Sequence, residues 1–159
     1  MEKKHKEIIT IIHEILKERG LTISVAESCT GGLVSHYLTL LSGSSMFFKA
    51  GIVAYSNESK KKLIGVSSKT IEKYGAVSEQ TAREMAEKIR NLVETNYSIA
   101  TTGNLGPDVI EAKEKGLVYI AVSKKGQTIS RELRLTGERQ ENKEEAAVEV
   151  LRLLLEQIQ

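Results

Sequence analysis

Tryptophan is absent from this chain, and phenylalanine and tyrosine bring the aromatics to only 4%. A surface that stacks single-stranded bases needs exposed rings in series, so such a partner is not expected. There is one cysteine, Cys29, which rules out an intrachain disulfide. No Cys/His spacing fits a zinc site, because His5, His13 and His36 are scattered, and no metal is expected. An excess of one charge is also lacking. The formal charge is +2, with Lys/Arg and Asp/Glu interspersed, so charge alone points to no nucleic acid and no membrane surface. No apolar run is long enough to span a bilayer. The stretch from Glu2 to Glu7 is charged where a signal peptide would be apolar. The expected compartment is therefore the reducing cytoplasm.

What is present is an ordinary globular composition, with 40% hydrophobic and 28% charged residues in a chain of 159. That length suits one domain over 1–159, able to bury a core without disulfides or metal. Ile8, Ile9, Ile11, Ile12, Ile15 and Leu16 make a helical stripe, and the spacing predicts a first helix over about 3–19, closed by Gly20. Thr22–Ala26 alternates as a strand, and Leu33 to Leu41 reads as a helix stopping before Gly43. Ile52–Tyr55 reads as a second strand. Ser56 or Asn57 caps a helix running to Ile64. Ser67 caps a short helix and Ser78 a longer one.

Tyr97–Thr101 is a third strand, and a loop over 102–115 carries the single proline, Pro107. Leu117–Val122 and a segment near 127–135 form a hairpin about Lys124-Lys125-Gly126. A last helix spans about 140–158. Strands alternating with helices imply parallel pairing, and the late hairpin adds an antiparallel strand. The expected fold is α/β, a three-layer α/β/α sandwich with a mixed, mostly parallel sheet of about five strands.

Ser28, Tyr55 and Thr102 each fall where one of the first three strands ends. Ligands of open α/β sheets bind beyond the carboxyl ends of parallel strands, so three separate stretches send polar groups to one rim. The first, Ala26-Glu27-Ser28-Cys29-Thr30-Gly31-Gly32, passes from strand to helix, where free N–H groups suit a phosphate or an oxyanion. Ser28 or Thr30 could equally be a plain N-cap, and the glycine pair could simply make room for a neighbouring strand. The second is Tyr55-Ser56-Asn57-Glu58-Ser59-Lys60. A serine nucleophile needs a base; no histidine is placed to serve, and a lysine can if burial lowers its pKa. Alternatively, Lys60, Lys61 and Lys62 are one solvated basic face. Cys29 reads as a small packing residue.

These stretches resemble the C-terminal domain of the competence-damage-inducible (CinA) proteins, a family also found alone as nicotinamide mononucleotide deamidase. The resemblance runs from about Leu21 to the last helix. It is carried by the motifs at 26–32, 55–60 and 75–79 (Gly-Ala-Val-Ser-Glu), by Thr102-Gly103 and Gly106-Pro107, and by Gly137-Glu138-Arg139. It implies an amidohydrolase of pyridine-nucleotide salvage, acting on a small nucleotide amide without metal or cofactor. Ser28 would be the nucleophile, Lys60 the base and Tyr55 a relay or orienting group. N–H groups near Thr30 and Gly31 would hold the oxyanion. Asn57, Thr102, Gly103 and Arg139 would contact substrate. Self-association as a homo-oligomer is also implied.

By this resemblance many full-length relatives carry an N-terminal domain, and the short helix over 3–19 is expected to leave no room for one here. The chain departs from the family over 104–115, where the usual run of glycines is missing. Asp108 and Glu111 place negative charge there, which would repel a phosphate. The alternative this raises is a catalytically silent ligand-binding or regulatory module on the same scaffold.

Overall fold

The computed structural model describes residues 3–159. Residues 1 and 2, which open the expected 1–159 domain and include Glu2 of the charged stretch, lie outside the described residues. Five strands form one sheet in the order β2-β1-β3-β4-β5: β1 (Ile23–Glu27), β2 (Phe48–Val53), β3 (Tyr97–Gly103), β4 (Leu117–Lys124) and β5 (Gln127–Arg134). β1 pairs in parallel with β2 and β3, while β4 is antiparallel to both its neighbours. β4 therefore runs against the other four strands. Helices α1 (Lys3–Glu18), α2 (Leu33–Leu38) and α6 (Arg139–Ile158) pack on one face. The other face carries α4 (Ser68–Tyr74), α5 (Glu79–Val93) and the segment made of α3 (Asn57–Ser59) and a wide π-turn over Lys60–Ile64. This is the expected three-layer α/β/α arrangement.

The two faces of the sheet differ in side-chain size, and the period-two alternation of the strands sets the difference. Toward α1, α2 and α6 point Ile23, Val25, Ile99, Val118, Ile120 and Val122. Toward α5 point Ser24, Ala26, Ser98, Ala100 and Ala121. Small residues let α5 lie close, through Ala82, Met85, Ala86 and Ile89. The helix is near enough that the Ser98 hydroxyl donates to the Ala86 carbonyl at 2.5 Å and the Ser24 hydroxyl to the Ile89 carbonyl at 3.4 Å. Buried hydroxyls are thereby satisfied rather than stranded.

Several boundaries differ from expectation: β3 runs on to Gly103 rather than Thr101, so Thr102 lies within it, and β4 runs to Lys124 rather than Val122. β2 starts at Phe48 and ends at Val53, so Tyr55 stands two residues beyond the strand. As an edge strand it alternates between half-buried and exposed positions, and Lys49 and Gly51 on its outer side hide it from a hydrophobic-run reading. α2 stops at Leu38, three residues before Leu41. There the Thr39 hydroxyl donates to the Ser35 and His36 carbonyls and competes for the acceptors of the last turn.

His13, on α1, is buried edge-on against Phe47, with ring centroids 4.7 Å apart. Neither ring nitrogen has a hydrogen-bond partner among the described residues. Burial lowers its pKa from the usual 6.5; the backbone of Tyr37 and Leu38 pulls the other way, and Lys17 adds to the lowering. The folded state thus holds this ring neutral, while the unfolded chain protonates it below about pH 6.5. Stability from this residue is complete above that pH and falls as pH drops toward the folded-state pKa. Replacing His13 by Phe should flatten the part of the stability–pH curve below pH 6.5. Denaturant midpoints at pH 7.5 and 5.5 test this, and equal pH dependence in the two proteins would contradict it.

Candidate active site

β1 ends in a buried carboxylate. Glu27 accepts hydrogen bonds from the Thr30 hydroxyl at 2.6 Å, the amides of Gly32 (3.2 Å), Val34 (2.9 Å) and Ser35 (3.0 Å), and the Ser35 hydroxyl (2.8 Å). The start of α2 is therefore capped by Glu27, not by Ser28 or Thr30, and its amides are already taken. Between strand and helix the chain turns through Gly31 (φ 58°) and Gly32 (φ 101°), a left-handed conformation that glycine adopts without strain. The glycine pair is thus required by the turn itself. Ser28 sits at the beginning of this turn, its amide donating to the Thr101 carbonyl of β3.

Opposite Ser28 stands Lys60. Ser56 caps α3 in a reciprocal box with Ser59, and the helix then widens into the π-turn. Lys60 is only 2% exposed, whereas Lys61 and Lys62 lie in solvent. The basic face is thus split, and one lysine of the three is turned inward. Its Nζ lies 2.9 Å from the Ser28 hydroxyl and donates to the Tyr55 carbonyl at 3.2 Å. Burial lowers the Lys60 pKa below the ordinary lysine value, against the pull of Cys29 and Glu111. The Cys29 thiol is pushed up to about 12 by its own burial, so it is neutral and unreactive at neutral pH.

Ser28, Lys60, Tyr55, Asn57, Thr102, Gly103 and Arg139 all line one cavity of about 140 Å³. Several have other duties there. The Tyr55 side chain is 59% exposed, and its hydroxyl accepts from Arg139 at 2.9 Å; only its carbonyl touches Lys60. Arg139 also donates to the Gly106 carbonyl at 2.7 Å. The Thr102 hydroxyl is spent on the Ala76 carbonyl at 2.7 Å. Gly103 has no room for a side chain, since a Cβ would lie 2.6 Å from the Leu117 carbonyl oxygen. Thr30 is buried between Glu27 and Thr101 and does not line the cavity, and Gly31 faces a neighbouring one. The Gly31 amide is taken by the Ser28 carbonyl. The amides of Cys29 and Thr30 have no acceptor among the described residues, so they are the donors still available beside Ser28.

Sequence reasoning gave no structural role to three residues that hold the surroundings of this cavity. Glu27 was hidden because a cap is sought among Ser and Thr at the helix start, not in an acid several residues upstream. Asn142, buried on α6, donates to the Leu105 and Gly137 carbonyls and ties the 104–107 segment down. A buried asparagine on an otherwise apolar helix face was its signal. Glu111 was expected to repel a phosphate, but its carboxylate is engaged elsewhere. It accepts from the amides of Ala76 at 2.7 Å and Val77 at 3.0 Å and pairs with Lys113. Burial works to raise its pKa, but the Val77 and Ala76 hydrogen bonds and Lys113 outweigh this and hold it below the ordinary value. Gly75 is needed for this approach, since a Cβ there would fall 2.4 Å from the Glu111 carboxylate. Asp108, by contrast, does line the cavity.

The CinA C-terminal domain family matches residues 5–158. This chain belongs to that family. A competence-damage inducible protein of Alkaliphilus oremlandii is 48% identical over 149 residues, 93% of this chain and 36% of the relative. Another, from Acetivibrio thermocellus, is 47% identical over 135 residues, 84% of this chain and 33% of the relative. The chain thus spans about a third of the length of these curated relatives. Among solved structures, the competence/damage inducible protein CihA from Agrobacterium tumefaciens superposes with a TM-score of 0.96 at 34% identity, covering 100% of this chain and 98% of that one. A competence or damage-inducible protein from Enterobacter asburiae gives 0.94 at 34% identity, covering 98% of each chain. No helix among the described residues is long and apolar enough to cross a membrane.

The Glu111 anchor joins the altered loop to the turn before α5. With 23% of its side chain exposed, Glu111→Ala should cost about 1–2 kcal/mol through loss of two charge-assisted bonds. It should also speed hydrogen exchange at the amides of Ala76 and Val77. Unchanged exchange at both amides would show that the loop is held by other contacts.

Proposed function

We propose that this CinA-family chain is an amidohydrolase that converts nicotinamide mononucleotide to nicotinate mononucleotide and ammonia. The observation that carries the reading is the buried Lys60 Nζ at 2.9 Å from the Ser28 hydroxyl. An inward lysine with lowered pKa, bonded to a serine at the carboxyl edge of a parallel pair of strands, is the arrangement that activates a hydroxyl without histidine. Nothing structural requires a buried ammonium there; an apolar side chain would fill the space at less desolvation cost.

In this scheme neutral Lys60 takes the Ser28 proton as Oγ attacks the carboxamide carbon. The tetrahedral oxyanion is met by the free amides of Cys29 and Thr30. Lys60 then returns the proton to the leaving nitrogen, the C–N bond breaks, and ammonia departs from a Ser28 ester. Water, deprotonated by Lys60, attacks the ester carbon and releases the carboxylate and Ser28. The Tyr55 carbonyl orients the amine throughout, while the Tyr55 hydroxyl acts at one remove by fixing Arg139. The scheme calls for neither metal nor cofactor.

Ammonia release from the mononucleotide by purified protein is the direct test. Ser28→Ala should abolish it in protein that circular dichroism shows to be folded. Lys60→Met keeps the aliphatic stem and removes the base, and should lower kcat by about 10²–10⁴-fold. For the wild type, kcat/KM should rise with pH through the lowered Lys60 pKa, because only the neutral amine accepts the proton. A folded wild-type protein that binds the mononucleotide but releases no ammonia would favour the silent ligand-binding module. Substantial activity in Ser28→Ala would end the mechanism.

A further inference from the structure

The cavity holding Ser28 and Lys60, about 140 Å³, suits a carboxamide-bearing ring but is small for a whole nucleotide, since ligand pockets commonly run to about 300 Å³ or more. Val77, Leu105 and Ile110 give such a ring an apolar wall. The charged side chains that line it are Lys60, Asp108 and Arg139. Two of these are accounted for. Lys60 is buried against Ser28, and Arg139 is committed to the Gly106 carbonyl and the Tyr55 hydroxyl. Asp108 has no hydrogen bond or ion pair among the described residues.

Asp108 is exposed, yet the chain on both sides of it is fixed. Before it, Asn142 holds the Leu105 carbonyl at 2.9 Å and Arg139 the Gly106 carbonyl at 2.7 Å. After it, the Asn104 side chain clamps Ile110, accepting from its amide at 3.1 Å and donating to its carbonyl at 3.2 Å. A carboxylate without a protein partner is therefore carried to the wall of the cavity on a pinned turn. Its sign opposes an anion inside the cavity and favours a cation there. In a nicotinamide linked through its ring nitrogen to ribose, that nitrogen carries a full positive charge, on the same ring as the carboxamide. A ring whose carboxamide reaches Ser28 brings this charge into the cavity with it.

We propose that Asp108 is a specificity-determining residue, selecting a cationic pyridinium amide over an uncharged amide of the same shape. The proposal rests on the amidohydrolase reading for the identity of the substrate. The ring keeps its charge while the carboxamide is attacked, so Asp108 holds ground state and transition state alike. Its effect therefore falls on KM and not on kcat.

The test compares nicotinamide mononucleotide with its reduced, dihydropyridine form, which keeps the carboxamide, ribose and phosphate but has a neutral ring. Because both forms carry the phosphate, any repulsion between Asp108 and that group cancels in the comparison. Equilibrium binding of each form is measured by calorimetry on Ser28→Ala protein, alone and with Asp108→Asn or Asp108→Glu. Ammonia release from the mononucleotide is followed in parallel with Ser28 intact, in wild-type and Asp108→Asn proteins. The expected result is a preference for the cationic form. Asp108→Asn should weaken binding of that form about 5–10-fold, a modest factor because the carboxylate is exposed, and leave the neutral form unchanged. Asp108→Glu should keep most of the preference, and added salt should reduce it. In ammonia release, Asp108→Asn should raise KM by a similar factor with kcat little changed. If ammonia is released but Asp108→Asn shifts the two forms equally, or shifts neither, the selection is overturned and the amidohydrolase reading stands. A preference that depends on Asp108 without ammonia release would uphold the selection and remove the enzyme. A protein that binds neither form and releases no ammonia would overturn both.

Discussion

The Glu27 carboxylate is the constraint on which the site depends. It lies at the end of the strand between β2 and β3, out of water, and a charge in that position is tolerated only when its lone pairs are met by donors. Five hydrogen bonds from residues 30–35 meet them. To supply those bonds the chain has to double back at once after Ser28, which is why two successive glycines follow and why α2 begins where it does. Ser35, held by the same carboxylate, reaches the β2 edge: a Cβ on Gly51 would come within 2.4 Å of its hydroxyl. One buried carboxylate thus fixes the turn that carries Ser28, the first helix after it and the packing of the edge strand.

That geometry changes the way an oxyanion can be held. A free helix N-terminus would offer several amides and the positive end of its dipole. Here the carboxylate neutralises that end and consumes the amides of Gly32, Val34 and Ser35. The remaining donors are those of the turn, at Cys29 and Thr30, next to Ser28. The site is therefore built from a strand-to-helix turn rather than from the helix dipole.

Much of this was legible in the sequence. Helices α1, α5 and α6 carry apolar stripes of helical period, and the β4–β5 hairpin declares itself through alternation about a glycine turn. Ser28, Tyr55 and Thr102 do line one cavity, as the strand ends suggest, although Tyr55 lies two residues beyond β2 and Thr102 lies within β3. What the sequence does not encode locally is partner choice. Lys60, Lys61 and Lys62 are chemically alike, and only the widened turn and the position of Ser28 decide which one goes inward. Tyr55, Thr102 and Arg139 are polar residues at the right rim. Whether a hydroxyl faces a ligand or an Ala76 carbonyl depends on contacts tens of residues away. Glu111 shows the same limit: its charge is visible in the sequence, but the two amides that absorb it belong to another segment.

Lys60 and Lys113 show how burial and partners, rather than residue type, set what a lysine can do. Lys60 is enclosed beside Ser28, and desolvation makes its neutral form accessible, which is what a proton acceptor requires. Lys113 has its amine on the carbonyls of Tyr74 and Val77 and on Glu111, where a charged group is well satisfied and its role is to hold a loop. Lys143, on α6, is only half enclosed and has no hydrogen bond or ion pair among the described residues. A charged amine can attract an anion but cannot take a proton; a neutral one does the reverse. The acceptors around Lys113 suit it to hold a loop, and the enclosure of Lys60 beside Ser28 suits it to accept a proton.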